Sequence, residues 1–140
     1  MDASTPFIEV DGLGNDFLLV DHRNEPGGEA ALAAAIEEAQ VLAPALCDRN
    51  EGIGADGILL VGPARGEAQA SMTVVNFDGS RPEMCGNGLR CVAAQVAAAL
   101  GSREVLIATD AGLRSCEIIE ADHERGHYEV RIAMGPARLL

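Results

Sequence analysis

One segment, residues 86–100, restricts the fold more than any other part of the sequence. Its apolar residues recur at the spacing of an α-helix, and Arg90 is its only charged residue. A helix that is apolar around most of its circumference must be buried on nearly all sides. Gly101 follows directly and suits a helix C-cap. The rest of the chain is therefore predicted to wrap around this helix.

Strand patterns occupy much of the remaining sequence. Short runs rich in β-branched and aromatic residues alternate with turns rich in Gly, Pro and Asp, as is typical of β-strands. A further helix is predicted over residues 29–43, with Pro44 ending or kinking it. The predicted strands span residues 7–10, 17–20, 58–61, 71–77, 104–109, 113–119 and 128–134.

The order of these elements predicts the fold class. Strands and helices do not alternate regularly, as they would in a βαβ protein. We predict an α+β fold in which a curled mixed β-sheet, barrel-like in shape, surrounds the central apolar helix. At 140 residues the chain has the size of one domain and can bury a core. We therefore predict a single domain over residues 1–140.

Charge and hydropathy exclude several classes of function. The net charge is −12 and all ten basic residues are Arg, so the chain repels phosphate backbones and we predict no nucleic-acid binding. No apolar run approaches the roughly 20 residues of a membrane span. The N-terminus also lacks the basic region of a signal peptide. We expect a cytoplasmic protein that does not enter a membrane.

The four cysteines have different predicted roles. Cys47, Cys85, Cys91 and Cys116 lack the spacing of a zinc site, and a cytoplasmic protein is not expected to contain a disulfide framework. Three of them fit small buried apolar residues. Cys85 differs because it directly precedes a Gly-Asn-Gly sequence at the start of the apolar helix. We predict no metal site and no cofactor.

The first turn of that helix is predicted to form a binding site for an anion. Its backbone N–H groups lack helical acceptors, and together with the helix dipole they favour an anion such as an α-carboxylate. Gly86 and Gly88 allow close approach to the backbone. The same field favours a thiolate at Cys85. The alternative is that Cys85 is a buried cysteine without a chemical role.

Two other sequence features are predicted to have no part in catalysis or ligand binding. The sequence GIGADG over residues 52–57 matches GxGxxG, but a predicted helix precedes it and a strand follows, the reverse of the dinucleotide-binding order. We interpret it as a turn. His22, His123 and His127 lie in polar or turn-like sequence and are predicted to be at the surface. A cysteine hydrolase would require one of them beside Cys85.

Several short motifs stand in a fixed order along the chain. They are GLGNDF (12–17), DR (48–49), GIGADG (52–57), NFDGS (76–80), MCGNGLRC (84–91), TDAG (109–112) and MGP (134–136). Together they resemble the motifs of diaminopimelate epimerases, and MCGNGLRC is similar to the segment that carries the first catalytic cysteine of that family. The resemblance covers the N-terminal half of such an enzyme.

The resemblance implies an epimerase that works without pyridoxal phosphate. Cys85 would be one of two acid/base thiols. Asn15 and Asn76 would bind polar groups of the substrate, and Gly86 and Asn87 would hold its α-carboxylate through backbone N–H groups. The implied reaction converts LL- to meso-diaminopimelate in lysine and peptidoglycan-precursor biosynthesis.

The resemblance also implies a missing partner. The family has two similar halves, and the second half supplies the other thiol, so this chain is expected to be inactive alone. The partner would be the C-terminal half or a second copy of this chain in a homodimer. A related racemase half, such as that of a histidine racemase, and a non-catalytic binding or folding unit are alternatives. Proline racemases fit less well because they carry His where this chain has Asn87.

Overall fold

The fold is taken from a computed structural model, which describes residues 5–133. In this part of the chain the elements follow the predicted order, with ends that differ by a few residues. They are β1 (Ile8–Gly12), β2 (Asn15–Asp21), α1 (Gly28–Leu46), β3 (Gly57–Gly62), β4 (Ala70–Asn76), α2 (Gly86–Leu100), β5 (Glu104–Thr109), β6 (Gly112–Asp122) and β7 (His127–Ala133).

Within the described residues, the strands form one seven-stranded mixed sheet in sequence order. The β2–β3 and β4–β5 pairs are parallel, and the other neighbouring pairs are antiparallel. Parallel pairs need a crossover connection, and α1 and α2 provide the two crossovers. Only Ala70↔Ile107 and Ser71↔Ala108 join β4 to β5. The rest of β4 therefore runs on without a partner in β5, towards the segment that leads into α2.

The sheet curls around α2, which contacts all seven strands. Leu89, Val92 and Val96 are completely buried inside this curl. The prediction of a curled mixed sheet around a central apolar helix is therefore confirmed. Burial does not extend to the last three residues of α2, which are exposed.

Within residues 5–133, the curl is not closed between its two edge strands. β1 and β7 are the ends of the strand order, and a groove of about 610 Å³ lies between them with α2 as its floor. Arg90, the only charged residue of α2, lines this groove and donates a hydrogen bond to the Val130 carbonyl. The charge of Arg90 is thus placed at the one side of α2 that the sheet leaves open.

α1 lies on the outer face of the sheet, against β3 and β4. Alternate residues of the central strands therefore pack inwards on α2 or outwards on α1. Because both faces are buried, these strands are continuous apolar runs rather than alternating patterns. Phe17, Leu19, Leu59 and Val61 belong to the inner core, and Leu18, Val20, Ile58 and Leu60 belong to the outer core.

The helix predicted over residues 29–43 is longer than expected, because α1 continues through Pro44 to Leu46. Of the two predicted effects of Pro44, ending the helix is therefore wrong. Proline has no N–H, so the carbonyl of Gln40 loses its helical donor. Gly79 packs against that carbonyl, where a Cβ would lie 2.5 Å from the oxygen. In return the Gln40 side chain donates to the Gly79 carbonyl at 3.1 Å. The turn after β4 thus docks where proline interrupts the hydrogen-bond ladder.

β6 is also longer than predicted. A register shift between Ile118 and Glu120 lets it continue to Asp122, through polar residues that carry no apolar strand pattern. The predicted end of the last strand, Met134, and the MGP motif lie outside the described residues. Neither helix in residues 5–133 combines the length and apolar character needed to cross a membrane.

The placement of α2 predicts a contrast between two leucines of the same helix. Leu89 is completely buried, whereas 54% of Leu100 is exposed. Leu89→Ala should lower the free energy of unfolding by about 2–5 kcal/mol, because it leaves a cavity in the inner core. Leu100→Ala should change it by about 0.5 kcal/mol or less. Urea denaturation of both variants measures the difference, and equal losses would contradict a central position for α2.

Candidate active site

Cys85 is the N-cap of α2, at the position that the sequence predicted. Its backbone is extended, with φ −140° and ψ 107°, and its Sγ accepts a hydrogen bond from the Gly88 N–H at 3.4 Å. The side chain is half-buried. In the described part of the chain, no acceptor pairs with the backbone N–H groups of Gly86 or Asn87. A thiol and two free donors therefore stand together at the positive end of the helix dipole.

Close packing on one side holds this helix start in place. A Cβ on Gly12 would overlap the carbonyl oxygen of Asn87, and a Cβ on Gly88 would lie 2.8 Å from a methyl carbon of Leu59. Glycine at both positions lets β1 and β3 approach the first turn of α2. A Cβ on Gly86, in contrast, would meet no other described residue within 4 Å. The turn is therefore packed on one side and open on the other.

Two of the three predicted substrate-binding asparagines are in direct contact. Asn87 Nδ2 donates to Asn15 Oδ1 at 2.6 Å, which joins the first turn of α2 to the first residue of β2. Asn15 Nδ2 in turn donates to Asp56 Oδ2 at 3.1 Å. The structure thus brings Cys85, Asn87 and Asn15 to one end of the sheet.

Asn76 lies close to this group but is bonded elsewhere. It is the last residue of β4, and its Nδ2 donates to Ser80 Oγ at 3.1 Å. Phe77, the next residue, donates its N–H to the Asp56 carbonyl at 3.0 Å. Asn76 therefore shares the neighbourhood of Asp56, without a hydrogen bond to Asn15 or Asn87 in the described residues.

A charged network that the sequence did not reveal supports Asn15. Arg49 donates to both oxygens of Asp16, at 2.9 and 2.7 Å, and to Asp56 Oδ1 at 3.1 Å. The hydrogen bonds from Arg49 lower the pKa of Asp16 to about 2. The only sequence signal for this network is a group of charged residues around a glycine-rich loop. That signal does not show which of these residues form ion pairs with each other.

The loop over residues 52–57 is a turn, as interpreted from its sequence. The N–H groups of Ile53 and Gly54 donate to the Leu46 carbonyl, and that of Ala55 donates to the Cys47 carbonyl. The loop thus satisfies carbonyl groups at the C-terminal end of α1 rather than binding a phosphate.

The segment that leads to Cys85 is anchored by an ion pair. Arg81 Nε and Nη2 donate to the two carboxylate oxygens of Asp110, at 2.7 and 2.9 Å. The hydrogen bonds to Asp110 raise the pKa of Arg81. The turn between β5 and β6 is itself held by Thr109, whose hydroxyl donates to the Gly112 carbonyl at 2.7 Å. The ion pair therefore restrains the chain segment that precedes Cys85.

The other three cysteines are buried, as predicted. Burial raises the pKa of Cys91 and of Cys116 to about 11, and it raises the pKa of Cys47. For Cys91 the nearby charges of Asp11 and Cys85 add to the effect. These three groups therefore remain thiols at neutral pH.

The histidines do not contribute to this site. His123 and His127 are exposed, as predicted. The surface prediction for His22 is confirmed only in part: the residue is partly exposed, but both of its ring nitrogens are buried and lack a hydrogen-bond partner in the described structure. Across residues 5–133, no three His, Cys, Asp or Glu side chains are arranged to hold a metal ion.

The curled sheet with its central helix is a fold that also occurs in other solved proteins. The fold is similar to that of a probable proline racemase from Agrobacterium radiobacter with bound carbonate, at a TM-score of 0.65 and 20% identity, covering 91% of this chain and 41% of that one. It is also similar to a hydroxyproline epimerase from Agrobacterium vitis with bound trans-4-hydroxy-L-proline, at a TM-score of 0.64 and 19% identity, covering 90% and 39%.

Sequence comparison identifies the family. The family model described as diaminopimelate epimerase matches residues 7–140. A diaminopimelate epimerase of Microcystis aeruginosa is 41% identical, covering 96% of this chain and 44% of the relative. One from Synechococcus elongatus is 43% identical, covering 97% and 44%. The chain therefore belongs to the diaminopimelate epimerase family, and it spans less than half the length of these relatives.

The burial of the cysteines predicts selective alkylation. Cys85 should react with iodoacetamide faster than Cys47, Cys91 and Cys116, because those three are buried and their raised pKa values keep them protonated. Mass-spectrometric mapping after a short treatment of the folded chain at neutral pH measures each rate. Equal or slower labelling at Cys85 would argue against its chemical role.

Proposed function

We propose that this chain provides one half of the active site of an epimerase that interconverts LL- and meso-diaminopimelate without pyridoxal phosphate. The observation that carries the proposal is the pairing of a cysteine N-cap with two free backbone N–H groups, in a chain of the diaminopimelate epimerase family. Cys85 acts as the acid/base thiol. Gly86, Asn87, Asn15 and Asn76 bind the substrate.

The helix start is suited to the carboxylate of an amino acid. The N–H groups of Gly86 and Asn87 would hold the α-carboxylate, with the positive end of the helix dipole behind them. When the α-proton leaves, the electron pair of the Cα–H bond moves towards this carboxylate and increases its negative charge. Donors already in place stabilise that charge most in the transition state, where it develops.

Inversion at the α-carbon requires a base on one face and an acid on the other. In one direction the Cys85 thiolate takes the α-proton, forming an S–H bond as the Cα–H bond breaks. A thiol on the opposite face then donates its proton to the carbanion, and the two sulfurs have exchanged protonation states. The reverse reaction starts from that exchanged pair, so no cofactor is needed.

The second thiol would come from outside this chain. Cys91 is the nearest alternative in sequence, but it is buried, and its raised pKa disfavours the thiolate that the reverse reaction requires. Cys47 and Cys116 lie in the outer and inner cores. The C-terminal half of the family, or a second copy of this chain, would supply the opposite face. Free thiols fit a reducing compartment, and we propose the cytoplasm as the site of action.

The incomplete site predicts inactivity of the chain alone. Purified chain should show no steady-state epimerisation of diaminopimelate above background, because the opposing acid is missing. Co-expression with a matching C-terminal half of a diaminopimelate epimerase should restore activity, measured by exchange of the α-proton in D₂O. Full turnover by the isolated monomeric chain would overturn the proposal.

Two variants separate chemistry from helix capping in the restored enzyme. Cys85→Ser keeps an N-cap acceptor for Gly88, since serine is a preferred N-cap residue, but it replaces the thiol with a much weaker acid. Activity should fall to background while the unfolding temperature changes little. Cys116→Ala, which also removes one thiol, should keep turnover. An active Cys85→Ser enzyme would reduce the role of Cys85 to capping the helix.

Exposed apolar side chains near the site support a second copy of this chain as an available partner. Leu13, in the turn before Asn15, is 78% exposed, and Phe77, which follows Asn76, is 60% exposed. Exposed apolar surface of this kind often marks an interface. An isologous two-fold dimer would place the two Cys85 side chains across one cleft.

Salt should strengthen this homodimer, because the net charge of −12 opposes self-association and salt screens it. Light scattering at low and high ionic strength measures the assembly. Mild oxidation followed by non-reducing gels should reveal a crosslink in wild type that is absent in Cys85→Ala. A monomer at every salt concentration, with no Cys85-dependent crosslink, would exclude the homodimer.

A further inference from the structure

Asp56 connects the segments that carry the predicted substrate asparagines. Its N–H donates to the Asp16 carbonyl at 2.8 Å, and its own carbonyl accepts from the Phe77 N–H at 3.0 Å. Its Oδ2 accepts from Asn15 Nδ2 and from the Asp16 N–H, both at 3.1 Å. One residue thus ties the start of β2 to the end of β4.

The chemistry of a carboxylate determines how the neighbouring amides are oriented. An ionised carboxylate only accepts hydrogen bonds, so Asn15 must turn its NH₂ group towards Asp56. Asn15 Oδ1 then faces Asn87 and accepts from its Nδ2 at 2.6 Å. The oxygen of Asn87 is thereby turned away from Asn15. No donor to it occurs in the described residues, and it is available to a donor such as a substrate ammonium group.

Arg49 holds Asp56 in this role. Its Nη2 donates to Asp56 Oδ1 at 3.1 Å and to Asp16 Oδ1 at 2.7 Å. The side chains of Arg49, Asp16 and Asp56 are 56%, 40% and 39% exposed. Ion pairs this exposed add little to stability. The consequence of the network therefore lies in the orientation of the asparagines rather than in the stability of the fold.

We propose that Asp56, held by Arg49, is a positioning residue that sets the orientation of Asn15 and, through it, of Asn87 beside the Cys85 thiol. The inference rests on the proposed function, because it assigns these asparagines to substrate binding. Asp56 does not touch the substrate, and its effect is transmitted by the two amides.

Asp56→Asn tests the inference because no arrangement of the new amide satisfies every neighbour. If its NH₂ group faces Arg49, two donors oppose each other. If that group faces Asn15, the amide of Asn15 must turn over, and Asn87 must turn with it. Asp48→Asn is the matched control. Asp48 lies in the same loop and caps the N–H groups of Asn50 and Glu51 at 2.8 and 2.9 Å, away from the asparagines.

The first measurement uses the chain itself. In ¹⁵N–¹H NMR spectra, the side-chain amide signals of Asn15 and Asn87 should shift in Asp56→Asn and stay in place in Asp48→Asn. Adding Asn15→Asp to Asp56→Asn supplies a carboxylate oxygen to Asn87, and should move the Asn87 signals back towards their wild-type positions. A purely structural role for Asp56 would not give this rescue.

The second measurement uses the chain combined with a C-terminal half. kcat/KM for diaminopimelate should fall about tenfold to a hundredfold in Asp56→Asn, the loss typical of a hydrogen bond to a charged group, and less than twofold in Asp48→Asn. Should Asp56→Asn fail to fold, Arg49→Gln replaces it. That substitution is at an exposed side chain, and its loss should have the same direction with a smaller size.

The outcomes separate the two proposals. Unshifted Asn87 signals, or a kcat/KM within twofold of wild type in both Asp56→Asn and Arg49→Gln, would overturn the positioning role. No turnover by the wild-type combination would refute the proposed function instead. In that case the NMR rescue alone decides whether Asp56 orients the asparagines.

Discussion

Burial of α2 is the interaction on which the rest of the structure depends. Eight of the ten residues from Gly88 to Ala97 are buried, and the sheet that curls around the helix contacts it through all seven strands. A helix this apolar is stable only when water is excluded from nearly its whole circumference. The sheet bends to achieve this, and its outer face then needs α1 as a second cover.

The candidate site follows from the same arrangement. A buried helix still exposes the donors of its first turn. Here that turn lies at the end of the sheet where the start of β2, the loop before β3 and the end of β4 also place polar residues. Gly12 and Gly88 let the strands pack against one side of the turn, while Gly86 leaves the other side open. In the described residues, the packing that stabilises the fold therefore also leaves two free backbone N–H groups on the open side, next to a thiol.

Local patterns predicted most of the elements but not all of their limits. Strands and helices were recognised because apolar spacing reports directly on local conformation. The end of α1 differs from the prediction because the helix continues through Pro44, where Gly79 packs against the Gln40 carbonyl. His22 was predicted at the surface because its sequence neighbours are polar, whereas the fold buries both of its ring nitrogens.

The sequence by itself determined that an apolar helix must be enclosed, that Cys85 stands at its N-terminus, and that the family motifs are present. These properties are local, since each depends on residues within one or two turns of chain. The tertiary structure alone decided the strand order and the meeting of Asn87 with Asn15, 72 residues away, and of Asn15 with Asp56, 41 residues away. The direction in which a polar side chain bonds depends on how distant strands pair, and no local pattern of residues specifies that pairing.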